Sequence, residues 1–308
     1  MRQRVAAVDC GTNSIRLLIA DIDPERTVAT DIARELRIVR LGEGVDRTGR
    51  LSPAALDRTI GALREYAGLI ARAEPAAVRM VATSATRDAE NAQEFVDQVK
   101  EVLGIAPGVV SGDEEAWLSF TGATRELSGT PAPYLVTDIG GGSTEFVLGG
   151  PEGVSGVRSV DIGCVRMTER HLRTDPPRDA EIAAATRDID AALDLVAASI
   201  PAARARTLVG LAGSVTTVAA IALGLESYDS DRIHHSRIPA GRVHEITTAL
   251  LGQTRAQRAD IGVMHPGRVD VIGAGALVLD RIMARFGFAE VLVSEHDILD
   301  GIAWSLVQ

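Results

Sequence analysis

Two turns in this chain carry the same three residues at the same spacing. Asp9, Gly11 and Ser14 lie in Asp9-Cys10-Gly11-Thr12-Asn13-Ser14, and Asp138, Gly140 and Ser143 lie in Asp138-Ile139-Gly140-Gly141-Gly142-Ser143, 129 residues further on. Each turn sits between an apolar run and an alternating one. The chemistry that suits this pattern is the holding of anions. Glycine lets the backbone come close to a ligand, successive main-chain N–H groups form an anion-binding concavity, and Ser adds a hydroxyl donor. An Asp at the strand end, as at Asp9 and Asp138, can hold a hard divalent cation, usually through water. Either turn alone reads equally well as a tight hairpin whose Asp and Gly serve conformation. Their repetition at about one domain length favours two related halves that grip neighbouring phosphates, with a metal between them.

Two further stretches could do chemistry. Leu211-Ala212-Gly213-Ser214-Val215-Thr216-Thr217 follows an apolar run and opens a helix; free N–H groups there suit an anion, or ask only for ordinary capping. Ser111-Gly112-Asp113-Glu114 matches the S-x-x-E capping box before Trp117, Leu118 and Phe120, so Glu114 is expected to fold back onto the Ser111 N–H. Glu115 then lies about 100° further round the helix. It can face a cleft as a base, or stand in solvent as a first-turn acid favoured by the helix dipole. His234-His235 reads as a polar loop. Glu295-His296-Asp297 either caps the last helix or lines a cleft. Arg255, Arg258 and Arg268 are solvated helix charges or add positive charge near a ligand. Cys10 reads as packing.

Such residues need elements that bring several strand ends together. Val5, Ala7 and Val8 predict a strand into the first turn, and Ile15, Leu17 and Ile19 alternate out of it. Ser52-Pro53 opens a helix with Leu56, Ile60, Leu63 and Ile70 on one face. Val78–Ala82 predicts a strand, a helix is expected from about Arg87 to Gly104, and Pro107–Val110 predicts a strand. The stretch Ser128-Gly129-Thr130-Pro131-Ala132-Pro133 reads as a linker. Tyr134–Thr137 and Thr144–Leu148 predict strands about the second turn, and Asp175-Pro176-Pro177 starts a long alanine-rich helix ending near Ile200. Strands and helices alternate throughout, so the class is α/β, with domains at 1–128 and 129–308 and the last helix free to pack back on the first.

Composition limits the partners. A net charge of −10 argues against broad nucleic-acid binding, but not against a polyanion met by a local cluster of donors. With 3% aromatic residues, the core must be aliphatic. Two cysteines give no disulfide framework. The apolar run Val5–Val8 ends at Asp9, unlike a signal peptide, and no stretch of about 18 apolar residues appears. The expected setting is a reducing cytoplasm, without nucleic-acid or membrane partners, and a homodimer is compatible with these features.

The sequence resembles the exopolyphosphatase/guanosine pentaphosphate phosphatase family within the acetate kinase, sugar kinase, heat-shock ATPase and actin superfamily. The resemblance runs over nearly the whole chain. It is carried by Ala7–Ile19, Ala82–Asn91 (ATSATRDAEN), Ser111–Ala116 (SGDEEA), Thr137–Val147 (TDIGGGSTEFV), Leu211–Thr217, Arg258–Gly275 and Ser294–Ile302 (SEHDILDGI). It implies two ribonuclease-H-like domains that close over phosphates in an interdomain cleft. It implies that Glu115 is the general base for the attacking water, and that Asp138 and Glu145 are metal and catalytic carboxylates. Asp9, Asn13, Ser14, Arg87, Gly140, Gly141, Gly142, Ser143, Gly213 and Ser214 fall where phosphate is contacted. Mg²⁺ or Mn²⁺ is the expected cofactor. The expected substrate is inorganic polyphosphate, with pppGpp as the rival, and the chain looks like the short, two-domain form. A sugar or acetate kinase is disfavoured because SGDEEA supplies a base for water. A non-catalytic nucleotide-binding protein would release no phosphate.

Overall fold

Strand β1 (Gln3–Cys10) is buried on both faces. Its side chains alternate across the sheet, so Ala6 and Val8 enter one apolar cluster while Val5 and Ala7 enter another. β2 (Ser14–Asp23) returns antiparallel to β1, and β3 (Val28–Ile38) runs antiparallel to β2. β4 (Ala77–Ala82) and β5 (Gly108–Val109) add in parallel on the other side, giving the order β3-β2-β1-β4-β5. Leu56, Ile60 and Leu63 of the Pro53–Ala73 helix and Phe95 and Val99 of the Ala92–Leu103 helix fill the first cluster. Leu118 of the Gly112–Thr124 helix and Ile298, Leu299 and Ile302 of the Ile298–Ser305 helix fill the second.

The computed structural model, which describes residues 2–307, divides into two units, Met1–Glu126 with Asp297–Gln308, and Leu127–His296. The second repeats the plan of the first. β6 (Tyr134–Ile139), β7 (Thr144–Gly150) and β8 (Gly153–Val160) form an antiparallel meander. β9 (Thr207–Leu211) lies parallel to β6. Beyond it come β10 (Arg237–Pro239) and β11 (Glu290–Val293), in the order β10-β11-β9-β6-β7-β8. β6, β7, β8, β9 and β11 thus take the places of β1, β2, β3, β4 and β5, with β10 as an addition. Both sheets have the ribonuclease-H-like arrangement, and the class is α/β. Among the described residues, no helix is long and apolar enough to cross a membrane.

Several elements differ from the sequence reading. The division falls between Glu126 and Leu127, two residues before the expected boundary, while the segment from Asp297 belongs with the first unit, in line with the expectation that the last helix is free to pack there. The helix expected from Arg87 is two helices, Ser84–Arg87 and Ala92–Leu103. Asn91 separates them because its side chain is committed to both the N–H and the carbonyl of Leu51. β3 and β8 were not foreseen. β3 is mostly exposed, and its alternating row of Val28, Ile32, Leu36 and Ile38 is interrupted by Thr30 and Arg34. The long helix starts at Asp179, two residues beyond the prolines, and ends at Ser199.

Candidate active site

In the first unit, the candidate side chains gather where β1, β4 and β5 end. Asp9 pairs in register with Val81, the first turn follows β1, the Ser84–Arg87 helix follows β4, and Ser111 follows β5. Ligands of open α/β sheets bind outside such carboxyl ends. The Gly11 N–H donates to the Ser14 carbonyl at 2.9 Å and closes the turn. The Thr12 carbonyl accepts from Gly42 N–H at 2.8 Å, and the Asn13 carbonyl accepts from Val39 and Arg40 N–H at 3.0 and 2.9 Å. The N–H groups of Thr12 and Asn13 donate to no main-chain carbonyl among the described residues. The Thr12 and Ser84 hydroxyls are 2.9 Å apart and tie the turn to the helix that carries Arg87. The Asn13 side-chain oxygen is buried without a hydrogen-bond partner.

Ser111 caps the Gly112–Thr124 helix by accepting from Glu114 N–H at 3.2 Å. The expected return bond from Glu114 to Ser111 does not form. The Glu114 carboxylate instead takes a hydrogen bond of 2.8 Å from Arg79, because an arginine on neighbouring β4 is a stronger, charge-assisted donor than a main-chain N–H. Glu115 is buried, with 7% of its surface exposed, and its Oε2 accepts from Arg87 Nη1 at 3.2 Å. Arg87 also donates to the Val110 carbonyl at 3.1 Å. The two glutamates are therefore separated as expected, and Glu115 and Arg87 are in contact.

Sequence reasoning missed the partner of Asp9. Arg16 lies opposite Asp9 in the β1–β2 register and donates twice to Asp9 Oδ2, at 3.0 and 2.6 Å. It also donates to Asp297 Oδ2, while Asp297 Oδ1 caps the last helix by accepting from Leu299 N–H at 3.0 Å. Asp9 Oδ1 is buried without a hydrogen-bond partner. Burial pushes the Asp9 carboxyl up, with Arg16 acting against it. Burial acts on Asp297 in the same sense, but there the charge and hydrogen bond of Arg16, with the Leu299 N–H, prevail and hold it below the usual carboxylate range. A signal for Arg16 did exist, since Arg16 and Glu145 are themselves 129 residues apart and occupy the same place after their turns.

In the second unit, Asp138 lies directly opposite Glu145 in the β6–β7 register, and both are buried. The Ser159 hydroxyl donates to Glu145 Oε1 at 2.7 Å. Where the first unit opposes a carboxylate with a guanidinium, the second opposes two carboxylates. The turn repeats the first: Gly140 N–H donates to the Ser143 carbonyl at 3.1 Å, and the N–H groups of Gly141 and Gly142 donate to no main-chain carbonyl among the described residues.

Asp138 also pairs in register with Leu211, so the stretch Ala212-Gly213-Ser214 lies beside it. Ala212 takes φ +66°, and the Arg268 guanidinium lies so close to Gly213 that an added Cβ would come within 2.4 Å of it. Arg268 donates to the Thr217 hydroxyl at 3.1 Å. Ser214 is buried against Gly275. Arg255 and Arg258 serve structure: Arg255 pairs with Asp270 at 2.6 Å, and buried Arg258 bonds Asp175 and the carbonyls of Val269, Leu250 and Gln253. Buried Cys10 packs in the first core, and burial raises its thiol well above the usual range. His234 and His235 stack with ring centres 3.7 Å apart.

The profile of the Ppx/GppA phosphatase family matches residues 18–308. The chain is 51% identical over 314 aligned positions to exopolyphosphatase 2 of Mycobacterium tuberculosis, with 98% of each chain covered. A crystal structure of an exopolyphosphatase-like protein superposes with a TM-score of 0.95 at 43% identity, covering 99% of this chain and 98% of the other. A more distant relative, the guanosine-5'-triphosphate,3'-diphosphate pyrophosphatase of Aeromonas salmonicida, is 27% identical over 98% of this chain and 59% of its own.

Proposed function

Because this chain belongs to the Ppx/GppA phosphatase family, we propose that it is an exopolyphosphatase that hydrolyses terminal orthophosphate from inorganic polyphosphate. One observation carries the reading. Each unit builds a turn whose carbonyls are engaged behind it while two adjacent N–H groups are left without a main-chain acceptor, and a phosphate chain is a ligand with repeated acceptors. In this reading Asn13, Ser14, Gly140, Gly141, Gly142 and Ser143 contact phosphate oxygens. Gly213 and Ser214 do so at the start of their helix, and Arg87 presents its planar fork to non-bridging oxygens.

The residues present fit a divalent cation. Opposed, buried Asp138 and Glu145 offer oxygen donors only. Such a donor set suits Mg²⁺ or Mn²⁺. In the first unit by itself, Asp9 leaves Oδ1 without a hydrogen-bond partner and could offer it to a cation. A bound ion would neutralise negative charge on phosphate oxygens. Glu115 orients a water and takes its proton as the water oxygen attacks the terminal phosphorus in line. The bond from that phosphorus to the bridging oxygen breaks, and the shortened chain leaves with its electron pair. Positioning and charge neutralisation account for most of the catalysis of such transfers.

A pppGpp phosphohydrolase uses the same groups, and the Aeromonas relative gives that reading its support. The test is orthophosphate release from polyphosphate and from pppGpp, compared by kcat/KM with Mg²⁺ and after chelation. The proposal expects polyphosphate to be preferred, EDTA to abolish release, and Mg²⁺ or Mn²⁺ to restore it.

A further inference from the structure

Behind each turn stands a glycine whose added Cβ would collide with that turn, with the Thr12 side chain at Gly42 and with the main chain at Gly163. At Gly42 an added Cβ would fall 2.3 Å from Thr12 Cγ2, and at Gly163 it would fall 2.3 Å from the carbonyl carbon and oxygen of Gly141. Real Cβ atoms essentially never come under 3.0 Å. Both glycines also hold the turn they touch, Gly42 N–H on the Thr12 carbonyl at 2.8 Å and Gly163 N–H on the Gly142 carbonyl at 3.1 Å. In the second unit the hold is extensive. Cys164 N–H donates to the Gly140 carbonyl at 2.9 Å, and Val165 and Arg166 N–H donate to the Gly141 carbonyl at 2.8 and 3.1 Å. Arg166 Nε adds a charge-assisted bond of 2.7 Å to the Gly142 carbonyl. The first turn of the Cys164–His171 helix thus spends its N–H groups on the carbonyls of the phosphate turn and leaves none for a ligand of its own.

We infer that Gly42, and Gly163 with Arg166, are positioning residues that set the phosphate affinity of the two turns from behind. The effect has two parts. Fixing a peptide carbonyl fixes the plane of that peptide, and therefore the direction of the N–H on its far side. Hydrogen bonds along a chain also polarise one another, so a peptide whose carbonyl accepts a charge-assisted bond donates more strongly. The Gly142 carbonyl, held by both the Gly163 N–H and Arg166, belongs to the peptide whose N–H is that of Ser143. The Gly141 carbonyl, held by two helix N–H groups, belongs to the peptide whose N–H is that of Gly142. These residues touch no substrate; they aim the groups that do.

This inference rests on the turns being phosphate sites, and its test separates the two claims. Gly42→Ala, Gly163→Ala, Arg166→Met and Arg166→Lys are made in the full chain. The control is Gly241→Ala, where nothing lies within 4 Å of the added carbon. Each variant is titrated calorimetrically with inorganic triphosphate, a readout independent of turnover, and assayed for KM and kcat on polyphosphate. Loss of one charge-assisted bond is worth about tenfold to a hundredfold. Gly163→Ala and Arg166→Met are expected to weaken triphosphate binding and raise KM by about tenfold or more, with a smaller change in kcat. Arg166→Lys should recover part of the loss, and Gly241→Ala should match the parent. Folded Gly163→Ala and Arg166→Met variants with parental triphosphate affinity would overturn the inference. So would losses that track the fall in melting temperature alone, with no rescue by Lys. If the parent binds triphosphate but hydrolyses no polyphosphate, the functional reading fails while the positioning role stands.

Discussion

Glu115 and Asp297 are both buried carboxylates, one bonded by Arg87 and the other by Arg16 and the Leu299 N–H. Glu115 is buried against Arg87, while its neighbour Glu114 is half exposed and paired with Arg79. A positioned general base contributes roughly 10² to 10⁴ in rate. Glu115→Gln is expected to lose that much kcat while keeping its melting temperature. Glu114→Gln removes a surface ion pair worth about 1 kcal/mol or less and should turn over at close to the parental rate; equal turnover in both variants would remove Glu115 from the mechanism. Asp297 predicts a pH dependence. Its folded-state pKa is held down by Arg16 and the Leu299 N–H against the effect of burial. The stability it contributes is therefore complete above its unfolded value of about 3.9 and is lost as pH falls through the lower folded value. Asp9 acts in the opposite sense, since burial raises its carboxyl. The informative quantity is consequently the difference between parent and Asp297→Asn in unfolding free energy from pH 6 to pH 3. That difference should shrink on acidification, and a constant difference would mean that the Asp297 charge contributes nothing.

At the scale of elements, the helix that carries Glu115 is fixed by how closely it meets the last helix of the same unit. An added Cβ on Gly122 would lie 1.9 Å from the Asp297 carbonyl oxygen, and one on Gly301 would lie 2.0 Å from that of Leu118. Forcing an extra carbon into so tight a contact costs typically 1–3 kcal/mol. Gly122→Ala and Gly301→Ala should each lower the urea midpoint accordingly, and unchanged midpoints would mean that the two helices are not packed so closely. Much of this scale was legible in the sequence. The repeated Asp, Gly and Ser positions marked the two hairpins, and Ser52-Pro53 marked a helix start, because local turn and cap chemistry fixes both. What could not be read depended on partners distant in sequence. Asn91 divides a continuous helical pattern by bonding Leu51, Glu114 abandons its capping box for Arg79, and Gly42 and Gly163 matter only through the turns they reach. Arg16 was legible in principle, as the cross-strand partner of Asp9, and was passed over as one polar residue in an alternating strand.

The whole molecule carries a net charge of −10, which bears on how it handles a polyanion. Long-range attraction is poor, so affinity must come from local donors. Phosphates beyond those donors add repulsion and no contacts. Partial digestion of a defined long polyphosphate should therefore shorten the whole population gradually, with chains released between cleavages. Full-length chains coexisting with free phosphate, without intermediates, would instead mean processive action along an extended site. Each unit by itself brings a turn with two adjacent N–H groups that donate to no main-chain carbonyl among the described residues. Attack of a water activated by Glu115 on the terminal phosphorus, as proposed, is tested most directly by hydrolysis of polyphosphate in ¹⁸O-labelled water with Mg²⁺. Each released orthophosphate should carry a single ¹⁸O, at a rate that falls roughly 10²- to 10⁴-fold in Glu115→Gln. Labelled release at the same rate in that variant, or orthophosphate without label, would contradict the account.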